Sequence, residues 1–391
     1  MSNTDPAALA RTRSDLGFAG AEHLETPAVV IDKARLIANI RRARSLVPDA
    51  VALRPHIKTH KCHEIARLQL ANGATGLTCA KPGEAVAMLA GGAPSVTVAY
   101  PIVVPAKAER VMRAARDRDA DARFLADSPD GVAALATAAK AVGGRWPVYV
   151  EVDTGLRRCG VDPDGGQGIA LARRIAGEPG LVFAGLFTHE GHAYGGKTPD
   201  GIRAVAAAVS ATLGGLKARI ETAGLSVPTV STGSTPTLFA NAGWEVANEA
   251  RPGNYVLADL TPVKLGLIDL CDIALAVAAT VVSTNNDYAI IDAGSKALTS
   301  DLAPHSSGGA ASYGLAYELG TAGAAMPFPV ARLSEEHGFL ALEGRAMKVG
   351  TRVIVFPNHS CPIVNLVDDL TVIGEGGSIE RWPVAARGSI R

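Results

Sequence analysis

Short runs of apolar and β-branched residues alternate with Ala-rich segments between residues 28 and 255. The runs predict strands, and the segments between them have the length and the Ala, Leu and Arg content of helices. Eight such βα units in about 230 residues is the size of a (β/α)8 TIM barrel. A doubly wound open sheet is the alternative, but no Gly-x-Gly-x-x-Gly motif follows the first strand. The predicted barrel strands are 50–54, 76–79, 95–99, 122–126, 147–153, 181–188, 229–231 and 245–249.

After about residue 260 the helical periodicity largely disappears, and β-rich stretches broken by Gly take its place. This change predicts a second domain built mainly of strands. We therefore expect a barrel domain at 26–260 and a C-terminal β domain at 261–391, with residues 1–25 added to the β domain. The predicted fold class is α/β, a (β/α)8 TIM barrel followed by a C-terminal β domain.

The 391-residue chain carries 38 Lys and Arg against 38 Asp and Glu, so its formal net charge is zero. A neutral chain lacks the basic surface that attracts nucleic acid, and no apolar run reaches the roughly 18 residues of a membrane span. We expect neither partner, and an enzyme for a small molecule becomes the leading class. The polar N-terminus lacks the pattern of an export signal, which predicts a cytoplasmic protein. Five scattered cysteines do not predict a disulfide framework.

The loop after the first predicted barrel strand has the sequence RPHIKTHK and contains Lys58. Functional groups of TIM barrels gather on the loops that follow the strands. Lys58 stands where the strand ends, behind the stiff Pro55, which suits an amine that must be held rigidly. A Lys among cationic neighbours can act as a nucleophile or base, as a Schiff base with an aldehyde cofactor requires. A solvated basic loop is the alternative.

The loops after the fifth and sixth predicted strands carry Arg158, in EVDTGLRRCG, and His189 with Tyr194, in THEGHAY. An imidazole at a strand end can stack on a flat ring, although a structural histidine and a surface arginine are the alternatives. The next two loops are STGST at 231–235 and RPGNY at 251–255. Barrel enzymes often bind a phosphate between these two loops, where backbone N–H groups and hydroxyls converge. A simple Gly/Ser turn is the alternative.

The predicted β domain contains PNHSCP, with His359 and Cys361 two residues apart. On an extended strand such a pair places both side chains on the same side. Imidazole and thiolate together suit zinc, and a catalytic zinc needs positions open to water or substrate. A chance His-x-Cys pair is the alternative, since two ligands do not make a structural zinc site.

These motifs together resemble the alanine-racemase-like, fold type III enzymes that use pyridoxal phosphate (PLP). Within that group they are most similar to the D-serine dehydratase and D-threonine aldolase branch. The resemblance runs from about residue 26 to the C-terminus. It implies a PLP-binding barrel, a C-terminal β domain, a homodimer with sites near the subunit interface, and a divalent metal beside the cofactor. Zinc is the first choice, with manganese or magnesium as alternatives. The motifs that carry the resemblance are RPHIKTHK, EVDTGLRRCG, STGST, RPGNY, IDAGSKA, EEHG, PNHSCP and ARG.

The resemblance also implies roles for single residues. Lys58 matches the lysine that binds the PLP aldehyde, and Lys61, three residues on, is the obvious decoy. His359 and Cys361 match the metal ligands. The other matches surround the cofactor: Arg158, His189 and Tyr194 near its ring, Arg251 facing the pyridine nitrogen, and Thr232, Gly233, Ser234 and Thr235 with Gly253 and Asn254 at its phosphate.

The form of the motifs indicates the reaction. His-x-Cys and the GHxY segment at 191–194 resemble D-serine dehydratases, whereas aldolases of this branch tend to carry His-x-Asp, and some have a catalytic His near the position of Gly195. We therefore expect a PLP- and metal-dependent lyase that eliminates water from D-serine, D-threonine or 3-hydroxy-D-aspartate, giving an oxo acid and ammonia. Retro-aldol cleavage to glycine and an aldehyde is the first alternative, and an amino-acid racemase is the second. A non-catalytic PLP-binding protein of a single barrel is a further class, against which the β domain with PNHSCP argues. Phe187, where some dehydratases have Tyr, leaves the substrate open.

Overall fold

The structure is a computed structural model that describes residues 16–302, 311–319 and 326–391. The chain divides into two compact units. The first, here the barrel unit, comprises Ala43–Gly196, Asp200–Gly253 and Gly388–Arg391. The second, here the β unit, comprises the described residues up to Arg42, Lys197–Pro199 and Asn254–Arg387.

The first strand, β1 (Ala28–Asp32), belongs to the β unit, and the next eight strands form the parallel sheet of the barrel unit. Their order is β2-β9-β8-β7-β6-β5-β4-β3. Isolated parallel bridges join Leu53 to Ala74 and His56 to Thr78, so β2 and β3 meet and close the sheet into a barrel. The predicted (β/α)8 barrel is confirmed. These strands are β2 (Ala52–Leu53), β3 (Leu77–Cys79), β4 (Ser95–Val98), β5 (Asp121–Ala126), β6 (Trp146–Glu151), β7 (Leu181–Phe187), β8 (Thr229–Thr232) and β9 (Glu249–Ala250).

Helices follow the barrel strands, and several of them begin at a proline, which suits the first turn because its missing N–H has no partner there. At Pro129, for example, the Ser128 hydroxyl completes the helix start by accepting a hydrogen bond from the Gly131 N–H at 3.2 Å. In the described ranges, no helix is long and apolar enough to cross a membrane. The helices are α1 (Lys33–Leu46), α2 (His63–Ala71), α3 (Pro82–Ala90), α4 (Pro105–Arg116), α5 (Pro129–Val142), α6 (Gln167–Gly177), α7 (Pro199–Thr222), α8 (Thr235–Phe239), α9 (Leu260–Lys264), α10 (Ser295–Leu298) and α11 (Ser360–Val364).

The β unit is organised around one long strand, β10 (Leu275–Thr284). Its first half pairs with β1, and its second half pairs with β11 beyond a bulge between Val281 and Ser283. Six antiparallel strands close into a ring in the order β10-β11-β14-β13-β12-β15, while β16 and β17 extend the sheet beyond β1. The remaining strands are β11 (Tyr288–Ile291), β12 (Gly314–Glu318), β13 (Phe328–Leu333), β14 (Gly338–Ala341), β15 (Arg352–Pro357), β16 (Asp369–Ile373) and β17 (Ile379–Pro383).

The unit limits differ from the predicted 26–260 and 261–391, because β1 pairs antiparallel with β10 and parallel with β16. The chain passes into the barrel unit within α1, leaves it after Gly253 apart from the short segment Lys197–Pro199, and returns to it at Gly388. The run AVVID that forms β1 has the same apolar pattern as a barrel strand, so the sequence alone does not assign it to the other sheet. Residues 1–15, which were predicted to join the β domain, lie outside the described residues.

Candidate active site

The loop that follows β2 presents Lys58 on a short and tightly held turn. Ile57–Thr59 form a 3-10 helix, and His56 Nδ1 accepts a hydrogen bond from the Lys58 backbone N–H at 3.3 Å. Ile57 is fully buried beneath the turn, whereas Lys58 is partly exposed. The backbone is therefore fixed while the side chain of Lys58 keeps access to solvent.

Lys61, the decoy, is held in a different way. It is buried, its φ is 50°, and its Nζ lies 3.2 Å from Oε1 of the buried Glu84. Glu84 also accepts a hydrogen bond from the Ala80 N–H at 2.6 Å. A buried lysine that is paired with a buried carboxylate is poorly suited to react with a ligand, because separating the two groups leaves an uncompensated buried charge. The structure thus favours Lys58 over Lys61 as the nucleophile.

Three cationic side chains from three loops, Lys58, Arg158 and Arg251, interact electrostatically with the same two histidines. Burial lowers the pKa of His56 well below its ordinary value, and the charges of Lys58 and Arg251 lower it further. Burial, Lys58 and Arg158 likewise lower the pKa of His189. Both imidazoles are therefore neutral at neutral pH, and the positive charge is carried by one lysine and two arginines. A group of cations with this composition suits an anionic ligand.

Arg251 is buried at the ends of β7 and β8. Its Nε donates to Ser231 Oγ at 2.7 Å, and its Nη2 donates to the carbonyl oxygens of Ser231, at 3.1 Å, and Thr188. The guanidinium lies over the ring of Phe187, 3.4 Å from the ring centroid. Burial lowers the pKa of Arg251 to about 10, which leaves the group charged at neutral pH.

The predicted phosphate-binding turn joins β8 to α8. Gly233 in this turn has a φ of 117°, and a Cβ on it would lie only 3.0 Å from the backbone nitrogen of Arg251. Ser234 and Thr237 form a capping box, in which each hydroxyl accepts a hydrogen bond from the other residue's N–H. A Cβ on Gly253 would lie 3.1 Å from a carbonyl oxygen of the loop after β2. The loops that follow β8, β9 and β2 therefore meet closely at two glycines, where any side chain would be crowded.

The other predicted barrel residues lie at the same end of the sheet. Thr232 is the last residue of β8 and Thr235 is the first of α8, and both are buried. Tyr194 lies in the 3-10 helix Gly191–Gly196, which follows β7. The ring of His189, just before this helix, hydrogen-bonds to the backbone of Gly233. The structure thus brings together the loops that the sequence singled out.

Two buried glutamates near these loops were not predicted from the sequence. Glu151 ends β6, and its carboxylate lies within 4.8 Å of ligand atoms of Asp127 and Cys159. Glu190 follows β7 and accepts a hydrogen bond from Thr237 Oγ1 at 2.6 Å. Burial raises the pKa of each glutamate to about 7. Their place at the ends of barrel strands is the signal that would have found them.

His359 and Cys361 lie at the start of α11 in the β unit. The prediction that they share an extended strand is wrong, because β15 ends at Pro357 and Cys361 is already helical. Pro362 in the first turn favours this early start of a helix. Only His359, the N-cap residue, keeps an extended backbone, with a φ of −146°. The two side chains nonetheless come within hydrogen-bonding distance of each other.

Negative charge surrounds His359. Burial alone would lower the pKa of this imidazole, but Cys361, Asp259 and Asp301 outweigh burial and raise the pKa to about 10. Asp301 Oδ2 lies 2.9 Å from His359 Nδ1, the usual arrangement of a carboxylate behind a metal-binding histidine. A histidine and a cysteine among carboxylates form a donor set that suits a divalent cation.

Asn254 was predicted at the cofactor phosphate, but its side chain is engaged beside the turn of α11. Its Nδ2 donates to Asp259 Oδ2 at 2.6 Å, and its Oδ1 accepts from Ser360 Oγ at 2.5 Å. Asp259 Oδ2 also accepts from the Ser360 N–H at 3.1 Å. The contact of Asn254 with a phosphate stays a prediction.

A parallel barrel with a lysine loop, followed by an antiparallel β unit with a His–Cys pair, defines a two-unit enzyme of the alanine-racemase-like class. The chain belongs to the family described as alanine racemase, N-terminal domain, which matches residues 31–260. Residues 274–373 match a serine dehydratase domain. The family predicted from the motifs is confirmed.

Two curated relatives match nearly the whole chain. D-threo-3-hydroxyaspartate dehydratase of Delftia sp. (strain HT23) is 32% identical over 92% of this chain and 97% of that protein. D-threonine aldolase of Arthrobacter sp is 30% identical over 94% of each chain. A solved structure of D-threo-3-hydroxyaspartate dehydratase, with a cysteine replaced by alanine and in the metal-free form, has a TM-score of 0.86 and 30% identity. That match covers 93% of this chain and 98% of the other.

Proposed function

We propose that this protein is a PLP- and divalent-metal-dependent lyase that acts on D-β-hydroxy amino acids. Its reaction is β-elimination, which releases an oxo acid and ammonia. The proposal rests chiefly on Lys58, a partly exposed amine whose charge acts on the same two neutral histidines, His56 and His189, as the charges of Arg158 and Arg251. The similarity to a hydroxyaspartate dehydratase and a D-threonine aldolase supports the class of substrate.

The residues of the barrel unit fit PLP. Lys58 would bind its aldehyde carbon, and the turn from Thr232 to Thr235 with Gly253 would hold its phosphate. The charges of Arg158 and Arg251 match the anionic groups of the cofactor. When bound, PLP supplies the electron sink that allows the Cα proton of an amino acid to be removed.

Lys58 would also be the base that accepts the Cα proton of the substrate. The other groups of its loop are poorly suited to this role. His60 is buried and hydrogen-bonded to Gln69 at 3.2 Å, and burial lowers its pKa to about 4. Lys61 is paired with Glu84. Lys58 is therefore the residue of this loop that is best suited to accept the proton.

His359 and Cys361 would hold the metal, which acts as a Lewis acid when it is bound and makes hydroxide a better leaving group. Asp301 bonds to Nδ1 of His359, so the other ring nitrogen is left as the ligand atom. Zinc is the metal that a His–Cys pair favours, with manganese and magnesium as alternatives. The metal-free form of the dehydratase whose cysteine was replaced supports a cysteine ligand.

Elimination is preferred over retro-aldol cleavage because of Cys361, which resembles the dehydratase form of the metal pair. Retro-aldol cleavage is the second candidate, and the 30% identity to D-threonine aldolase favours it. That reaction needs a base for the proton of the β-hydroxyl group, and Gly195 stands where some aldolases place a histidine. The two reactions differ in which proton leaves the substrate.

A homodimer, which the family resemblance implies, is part of the proposal, and light scattering of the purified protein tests it. A mass of twice 40.1 kDa is expected, and a monomer would contradict this part of the proposal. The cytoplasmic location stays a prediction.

Product analysis tests the reaction directly. The PLP-loaded protein is incubated with D-serine, D-threonine or 3-hydroxy-D-aspartate, with and without a chelator. Ammonia with an oxo acid is expected as the main product, and it should decrease with the chelator and recover with zinc. Glycine with an aldehyde as the dominant product would reverse the order of the two candidates. Interconversion of D- and L-amino acids without either product would indicate a racemase.

A further inference from the structure

A chain of hydrogen bonds runs through the barrel interior from Glu249 to Arg251. The Ser231 hydroxyl donates to Glu249 Oε1 at 2.5 Å, and Ser231 Oγ accepts from Arg251 Nε at 2.7 Å. None of the three residues is more than 3% exposed. The proposed function gives a role to Arg251 but none to Ser231 or Glu249.

The chemistry of the end groups fixes the direction of both bonds. A guanidinium only donates hydrogen bonds, so the Ser231 oxygen must be the acceptor toward Arg251, and the one hydrogen of the hydroxyl remains for Glu249. The Ser231 hydroxyl therefore accepts a hydrogen bond from Arg251 and donates its own O–H to Glu249. Removing this one hydroxyl breaks both links at once.

Glu249 is anchored on its other side. Its Oε2 accepts from Arg54 Nε at 2.9 Å and from Arg123 Nη1 at 3.3 Å. Arg123 in turn donates to Asp121 at 2.6 Å and to the Tyr149 hydroxyl at 3.1 Å. These partners lie on β5, on β6 and directly after β2, so the barrel wall sets the position of Glu249.

The guanidinium of Arg251 makes two further contacts, one through the face of its plane and one through Nη2. The ring of Phe187 lies against the guanidinium, and Nη2 donates to the backbone carbonyls of Thr188 and Ser231. Phe187 is the position at which the sequence departs from a tyrosine of some dehydratases. Its aromatic ring here serves as the platform for the arginine.

We propose that Ser231 and Glu249 are positioning residues that orient the Arg251 guanidinium toward the ring of the bound cofactor. The inference rests on the proposed function, because it concerns PLP in the barrel unit. A fixed cation beside the ring influences the charge distribution of the cofactor and therefore its absorption spectrum. Without the Ser231 hydroxyl, Arg251 keeps Phe187 and the carbonyl contacts but loses its link to Glu249.

Three variants test the role of Ser231. Ser231→Ala removes both bonds, and Ser231→Thr keeps a hydroxyl. Ser210→Ala is the matched control, because Ser210 Oγ also donates to a glutamate, Glu245, at 2.8 Å but lies on α7. For each PLP-loaded variant we would measure the absorption spectrum of the bound cofactor over a range of pH, kcat and KM, and thermal unfolding.

Ser231→Ala should change the cofactor spectrum or its pH dependence and lower kcat by roughly tenfold or more, with a smaller change in KM. Ser231→Thr should recover much of both properties. Ser210→Ala should lose stability without altering the spectrum. A spectrum, pH dependence and kcat in Ser231→Ala that match those of Ser210→Ala would overturn the positioning role. A wild-type protein that binds no PLP would overturn the proposed function instead, so the two failures are distinguishable.

Discussion

The two units carry candidate sites of opposite charge. In the barrel unit, Lys58, Arg158 and Arg251 act on histidines that remain neutral. In the β unit, Cys361 and Asp301 act on a histidine, His359, whose pKa they raise. The first set suits an anionic cofactor and the second suits a divalent cation. If the proposed function holds, each unit would bind one of the two, and the loss of one should leave the other bound.

The interiors of the two units also differ in how many charged groups they bury. The centre of the barrel holds buried ion pairs such as Arg54 with Glu249, at 2.9 Å. The β unit packs aromatic and aliphatic side chains, as where the rings of Tyr317 and Phe356 meet at 5.7 Å. Buried ion pairs add little net stability but fix geometry when every partner is present, whereas apolar burial supplies stability. Removing one partner of an ion pair in the barrel centre should therefore disturb the geometry of the site and also destabilise the fold, because the other charge is left buried without its partner.

The largest effect is expected for Lys58→Ala. Without the amine, the cofactor has no covalent attachment and the Cα proton has no acceptor, so turnover should be abolished. The absorbance of lysine-bound PLP should also disappear, while metal bound to the β unit should be retained. Absorption spectroscopy, product assays and metal analysis of the same sample measure the three properties.

Lys61→Met is the matched control for Lys58→Ala. It should keep the PLP absorbance but lower the free energy of unfolding by about 3–5 kcal/mol, because Glu84 would be left buried without its partner. If Lys58→Ala retained the absorbance and Lys61→Met lost it, the assignment of the two lysines would be reversed.

The next effect in size is expected for the metal pair. Cys361→Ala should lose the metal and reduce elimination about 10- to 100-fold or more, because hydroxide would leave without a Lewis acid. PLP binding in the barrel unit should be unchanged. Metal analysis, the PLP spectrum and ammonia release check these three statements. Cys271→Ala, at an exposed cysteine, is the control and should behave as the wild type. Full activity of Cys361→Ala after exhaustive chelation would refute the role of the metal.

The barrel was predictable because each βα unit repeats the same apolar pattern, and because functional residues follow the strands. Lys58, His189 and Arg251 could be chosen on that basis before any contact was known. Strand β1 was not assignable, since its AVVID run has the same pattern as a barrel strand. Its sheet depends on pairing with β10, which is far away in the sequence.

The residues that hold the site residues in place were harder to predict from the sequence than the site residues themselves. Glu249 is the last residue of the predicted strand 245–249, and its role depends on Arg54, Arg123 and Ser231, which lie far from it in the sequence. The His-x-Cys pair was found, but its conformation was not, because alternation along a strand ignores the preference of Pro362 for a first helical turn. The spacing of residues in the sequence indicates which chemical groups are present, whereas tertiary contacts determine how these groups are arranged.

The smallest expected effect is a pH dependence of the stability of the barrel unit. It tests whether the candidate site of the barrel unit is more positively charged than that of the β unit. Burial raises the pKa of Glu190 from 4.5 to about 7. The native protein therefore keeps a proton on Glu190 that the unfolded chain loses above pH 4.5. This contribution to stability is complete below the unfolded pKa and is lost as the pH rises through about 7. A protonated Glu190 also places no negative charge beside Arg251.

Glu190→Gln is neutral at every pH and should not show this loss. Between about pH 5 and pH 8, the free energy of unfolding of the wild type should therefore fall by up to about 3 kcal/mol more than that of the variant. Urea unfolding of the cofactor-free proteins measures the difference. Glu221→Gln, at an exposed position on α7, should follow the wild type. Equal pH slopes for the wild type and Glu190→Gln would mean that Glu190 is already ionised in the native state, and the barrel site would then be less cationic than the contrast requires.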